Sequence, residues 1–257
     1  MELRVLGASG GITQSGATTS FLLDQHILLD GGTGVGGLSL EEMERIDSLL
    51  LTHAHLDHIA GAALMLASVI DRRSTPLTIF APAPVLDTLR RHLFNWELWP
   101  NFAVLPTEDN PVLNYREIHP EQPFELAGLS IEAIALSHTV PSYAYLIAEG
   151  ERCFCFCGDT GPTQRLWERI NEVGTVEQLF IELSYPASEA EIARISGHYD
   201  LASLANDLQR LKQPLQVNLM HAKPGYEDDL SLAVATHAQY QPLRVHHCRA
   251  GQYLSVL

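Results

Sequence analysis

Between residues 49 and 61 the chain reads LLLTHAHLDHIAG, so His53, His55, Asp57 and His58 fall within six positions. Imidazole and carboxylate donors suit zinc, manganese or iron, and no thiolate lies close enough for a closed structural zinc site. His53 and His55 can point one way and Asp57 and His58 another, which suits two neighbouring ions better than one. A lone histidine in such a place is ordinarily a solvated turn residue; the cluster is what points to metal. One short segment cannot close a two-ion site, so partners must arrive from further along. His138 in ALSHTVPSYAYLI, Asp159 in FCFCGDTGP and His221 in VNLMHAKPG share one setting: an apolar strand, the donor, then a turn.

Strands and helices have to bring these donors together. ELRVLG, SFLLD and HILLD read as short strands. SLEEMERI reads as a short helix, with Ser39 and Glu42 forming a capping box. DSLLL is a buried strand running into the histidine cluster. HIAGAALMLASVIDRR is an apolar helix leaving it, with Arg72 and Arg73 suited to the negative end of its dipole. Residues 94–117 read as irregular and aromatic. Further strands are expected at LSIEAIALSH, AYLIAE, RCFCFCGD, QLFIELS and LQVNLMH, with helices near 83–94, 162–173, 200–212 and 227–240. Strands followed by helices in both halves predict an α/β protein with two packed sheets flanked by helices. No linker or low-complexity tract divides the chain, so residues 1–257 are expected to form a single domain.

Bulk properties narrow the partners. Sixteen basic residues against thirty-one acidic ones leave a net charge of −15, a poor balance for gripping a long polyanion. Strong nucleic-acid binding is therefore not expected. A small anionic substrate is compatible, because bound cations reverse the sign of a site locally. No signal-like or membrane-length apolar stretch is visible, so no membrane partner is expected. Cys153, Cys155 and Cys157 alternate with Phe154 and Phe156, which places the thiols on one face of a strand as reduced core residues of a cytoplasmic protein.

The set His-x-His-x-Asp-His, followed by single His, Asp and His donors, resembles the metallo-β-lactamase superfamily over residues 1 to about 225. That resemblance implies an αβ/βα sandwich with a two-metal site along one edge. It also implies that His53, His55 and His138 hold one ion, that Asp57, His58 and His221 hold the other, and that Asp159 bridges. Zinc is the leading candidate, with manganese or iron as alternatives. Within the superfamily, HAHLDHIAG, SHTVPSYAYLI, GDTGP, IELSYP and HAKP are similar to the class II cyclic-nucleotide phosphodiesterases. The implied reaction is hydrolysis of a 3′,5′-cyclic nucleotide to the 5′-monophosphate, with a homodimer as the candidate assembly. The ribonuclease Z branch is the alternative, although His221-Ala222-Lys223-Pro224 departs from its pattern and no basic arm for tRNA is visible. A metal-binding protein without turnover is the third reading, disfavoured by the complete donor set.

For such a hydrolase Asp57 counts among the catalytic residues as well as the metal donors, and Glu182 with His198 is the candidate proton donor to the leaving 3′ oxygen. Asp30 either supports a metal histidine or is a plain turn aspartate. Lys223 could meet a phosphate oxygen. Phe94, Trp96, Trp99 and Phe102 form either an aromatic lid for a base or ordinary core, the latter favoured. His26, His92, His119, His237, His246 and His247 lack the strand-end setting and get no role.

Overall fold

The computed structural model describes residues 1–14 and 16–257. Antiparallel β1 (Glu2–Gly7), β2 (Ser20–Leu23) and β3 (Ile27–Gly31) open the first sheet. Helix α1 (Leu40–Arg45), with its Ser39–Glu42 capping box formed, returns the chain so that β4 (Ser48–Leu50) lies parallel to β3. After α2 (Leu56–Val69), β5 (Leu77–Ala81) adds in parallel, and α3 (Ala83–His92) follows. A small hairpin, β6 (Pro106–Thr107) with β7 (Asn110–Pro111), precedes β8 (Leu113–Glu117), which completes that edge beside β5.

The second sheet starts as the antiparallel run β9 (Phe124–Leu126), β10 (Leu129–Leu136), β11 (Ser142–Glu149) and β12 (Arg152–Cys157). It continues in parallel with β13 (Val176–Glu182), β14 (Gln216–Met220) and β15 (Arg244–His247). Helices α4 (Gln164–Val173), α5 (Ala190–Ser196), α6 (Leu201–Leu208) and α7 (Glu227–Thr236) fill the connections. The last strand, β16 (Tyr253–Ser255), crosses back to pair with β1, so each large sheet has seven strands.

Burial sorts into layers. Phe21, Leu29 and Leu50 of the first sheet meet Tyr145, Phe154, Phe156 and Phe180 of the second in one dry interface. The outer face of the first sheet packs on α2 and α3 through Leu28, Leu49, Ile59, Leu66 and Leu86. That of the second packs on α4, α6 and α7 through Leu179, Trp167, Leu204 and Leu230. The molecule is therefore the αβ/βα sandwich implied above. The alternation in RCFCFC holds: the phenylalanines enter the interface between sheets while Cys153, Cys155 and Cys157 face the helices as free thiols.

Three local readings need correction. Helix α2 begins at Leu56, two residues earlier than its apolar run suggests, so Asp57 and His58 lie in its first turn. An acid there is favoured by the free N–H groups. The helix also stops at Val69, and Arg73 reaches back to the carbonyls of Met43 and Ile46, closing the end of α1 instead of its own helix. The segment 94–117 is not wholly irregular, because β8 gains its partner only when β5 is beside it. Among the described residues no helix is long and apolar enough to cross a membrane.

Candidate metal centre

Strands β4, β12, β13 and β14 are parallel members of their sheets, and β10 and β12 both oppose β11, so β10 shares the direction of β12. Their C-terminal ends in the second sheet consequently lie along one edge, where open α/β sheets usually place ligands. His53 and His55 follow β4, His138 follows β10, Asp159 follows β12, Glu182 ends β13 and His221 follows β14.

Two close approaches position the donors, one across the two sheets and one between α2 and the end of β3. A Cβ on Gly158 would sit 2.6 Å from the Thr52 Cβ and 2.8 Å from the Ser142 hydroxyl, so only glycine lets the chain carry Asp159 up to His53. Backbone bonds tie the same seam, with Tyr143 N–H donating to Thr52 O and the Tyr145 hydroxyl to Leu51 O. On the other side a Cβ on Gly61 would sit 1.9 Å from the Gly32 carbonyl oxygen. Gly61→Ala is therefore expected to cost about 3 kcal/mol, the upper range for overpacking, and to push Asp57 and His58 off their places. Urea unfolding and zinc uptake measure the two effects; an unchanged midpoint would mean α2 can simply move outward.

The seven donors form two groups that share one carboxylate. In each group the donor atoms lie within 4.8 Å of one another: His53, His55, His138 and Asp159 in the first, Asp57, His58, Asp159 and His221 in the second. His55 Nδ1 is 3.3 Å from His138 Nε2, and His58 Nε2 is 3.4 Å from His221 Nε2. Those spacings match the edge of a tetrahedron of donors about 2.0–2.1 Å from a zinc ion, which is ~3.3–3.4 Å. His53 Nε2 is buried with no hydrogen-bond partner and lies 3.7 Å from Asp159 Oδ2. Asp159, almost wholly buried, has Oδ1 at 3.2 Å from His58 Nε2 and Oδ2 at 3.2 Å from His221 Nε2. Converging buried lone pairs around a carboxylate are costly unless a cation neutralises them. The donor set fits two divalent ions.

The surrounding groups aim the rings. Asp30, fully buried, takes His58 Nδ1–H at 2.7 Å, which settles its role as support for that imidazole over a plain turn residue. Its φ of +55° and the +63° of His221 are left-handed values that a side chain adopts at a cost, sustained here by packing around the site. His138 Nδ1–H donates to the Gly197 carbonyl at 2.8 Å, leaving Nε2 for the centre. Burial opposes charge on His58, but Asp159 and Asp30 outweigh it and hold the ring well above its ordinary pKa. Burial likewise opposes charge on Asp159, yet His221, His58 and His53 hold its carboxyl well below the usual range. Asp57 has 28% of its side chain exposed; against its partial burial, His221 and His58 keep it ionised.

Beside the centre, His198 is buried, with Nδ1 at 2.9 Å from Glu182 Oε1 and 4.0 Å from Asp159 Oδ2. Glu182 also accepts from Thr160 N–H and Tyr199 N–H. Burial pulls the His198 pKa down, but Glu182 and Asp159 raise it on balance. Two further sequence candidates make contacts of their own. Lys223 Nζ donates to the Gly10 carbonyl at 3.2 Å. Phe94 and Phe102 are core residues under the first sheet's helices, and Trp99 Nε1–H donates to Ala63 O, so the ordinary packing reading of that segment stands for all but exposed Trp96. Thr52 and Ser184, beside the candidate ligands His53 and His221, are residues the sequence did not point to. Ser184 lies two positions beyond Glu182, a spacing that puts both on one side of an extended chain.

Residues 25–222 match the family described as "Beta-lactamase superfamily domain". Among curated proteins the chain is 30% identical over 278 residues to the probable 3′,5′-cyclic-nucleotide phosphodiesterase of Yersinia pestis, covering 88% of this chain and 79% of that one. Among solved structures it is similar to unliganded yeast PDE1, with a TM-score of 0.81, 20% identity and 98% of each chain covered. It is also similar to the short form of human tRNase Z, with a TM-score of 0.71, 19% identity and all of both chains covered.

Proposed function

Because the chain belongs to the metallo-β-lactamase superfamily of hydrolases, we propose that it is a dinuclear phosphodiesterase that opens 3′,5′-cyclic nucleotides to 5′-monophosphates. The observation that carries this reading is the pair of donor groups sharing Asp159 with a Glu182–His198 pair at their margin. The two donor groups would hold divalent ions, which would supply Lewis acidity, lower the pKa of water to ~7 and neutralise phosphoryl charge. Zinc suits the nitrogen-rich donor set, and manganese or iron would be accepted by the same atoms.

The chain's own residues do the rest. Asp159 and Asp57 stay ionised within the donor cluster. Glu182 holds His198 by Nδ1 and stabilises its charged form, leaving Nε2–H to protonate the departing 3′ oxygen. The net charge of −15 favours a small substrate over precursor tRNA, the substrate class that likeness to tRNase Z brings into question.

Turnover by metal-analysed protein should be measured on cyclic AMP, cyclic GMP, bis(p-nitrophenyl) phosphate, precursor tRNA and a β-lactam. The expected result is two divalent ions per chain and efficient opening of a cyclic nucleotide. Cleavage of precursor tRNA alone would replace this reading with the processing-endonuclease one.

A further inference from the structure

Two buried carboxylates beside the centre each serve two imidazoles, one directly and one through a hydroxyl. Around the first of these, Asp30 Oδ2 accepts from His58 Nδ1 at 2.7 Å and from Thr52 Oγ1 at 2.8 Å, and the Thr52 oxygen lies 3.0 Å from His53 Nδ1. Around the second, Glu182 accepts from His198 Nδ1 at 2.9 Å and from Ser184 Oγ at 2.5 Å, and the Ser184 oxygen lies 3.1 Å from His221 Nδ1. Asp30, Thr52, Glu182 and Ser184 are all fully buried, so water does not compete for these bonds.

A hydroxyl carries one proton and two lone pairs. Ser184 has two acceptors in reach, Glu182 Oε2 and the His221 carbonyl oxygen at 3.0 Å; the nearer and charged one takes the proton. The Ser184 oxygen is then left only to accept, and His221 Nδ1 has to be the donor. Thr52 gives its proton to Asp30 in the same way, so His53 Nδ1 must also carry hydrogen. Both rings thereby carry hydrogen on Nδ1, which makes Nε2 the atom each can offer to an ion, and each Nε2 faces Asp159.

We infer that Ser184 and Thr52 are positioning residues, hydroxyl relays that lock His221 and His53 in the Nδ1–H tautomer and present Nε2 to a divalent ion. The inference rests on the metal centre proposed above. It also ties the two halves of His198's surroundings together: one carboxylate, Glu182, orients both the candidate proton donor and a metal histidine.

Ring-nitrogen NMR on metal-free protein labelled with nitrogen-15 histidine reads the tautomers, and competition with a chromophoric chelator reads zinc affinity. In S184A the His221 ring should no longer hold a single tautomer, and one of the two zinc ions should bind about 10–100-fold more weakly. T52V, nearly isosteric with the native residue, should do the same to His53 and the other ion, and T52S should restore wild-type values. If S184A does not fold, the T52V and T52S pair carries the test. Wild-type ring signals with wild-type affinity in T52V would overturn the relay, as would equal losses in T52V and T52S, which mark a packing defect. Tautomers that hold in the wild type and fail in T52V support the relay whatever the substrate panel shows, so the two readings fail separately.

Discussion

Asp159→Asn is expected to release both ions and lower kcat/KM on a cyclic nucleotide by on the order of 10³-fold or more, about 4 kcal/mol of barrier. The substitution keeps the shape of the side chain and removes only its charge. That charge sits within 4.8 Å of the donor atoms of both groups, whereas every other donor belongs to one of the two proposed metal sets. Asp159 favours the charged forms of four of the centre's histidines, His53, His55, His58 and His138, and for His58 it is the largest influence in that direction. Loss of one ion while the other stays bound with near-native turnover would show that Asp159 does not bridge. Metal content by elemental analysis, taken with the rate, separates the outcomes.

His198→Ala is expected to slow opening of a 3′,5′-cyclic nucleotide by ~10²–10⁴-fold, the usual worth of a positioned general acid. The same variant should lose less than about tenfold on a p-nitrophenyl phosphodiester, because p-nitrophenolate leaves without a proton. Zinc content should stay at the wild-type level, since His198 is bound to Glu182 and lies outside the two donor groups that share Asp159. Equal losses on both substrates would remove His198 from the role of proton donor and leave it a packing residue against His138 and His221.

The readable part of the site was the part held by local chemistry. His53, His55, Asp57 and His58 are adjacent in the chain, and a buried strand on one side with an apolar helix on the other announces a loop held between rigid elements. His138, Asp159 and His221 are legible because each repeats the sequence of apolar strand, donor and turn. Thr52 and Ser184 are not, because nothing in a single hydroxyl's surroundings along the chain tells which carboxylate and which ring it will join. Asp30 stood undecided for the same reason: it meets Thr52 and His58, 22 and 28 positions away. The strand β8 was hidden too, since an edge strand of mixed polarity is stabilised by the neighbour it pairs with more than by its own pattern.

The residues by themselves determined the donor types, the layered α/β architecture through the periodicity of its apolar positions, and the family through a motif with its later partners in order. Tertiary structure alone decided that α2 starts early enough to hold Asp57 and His58 in its first turn, that Gly61 lets two backbones approach closely while Gly158 passes the Thr52 and Ser142 side chains, and that each of two carboxylates commands two rings. Periodicity is a property of neighbouring residues and survives in a linear string. Distances between groups separated by a hundred or more positions exist only once the two sheets have packed, because burial of their shared apolar faces is what sets them.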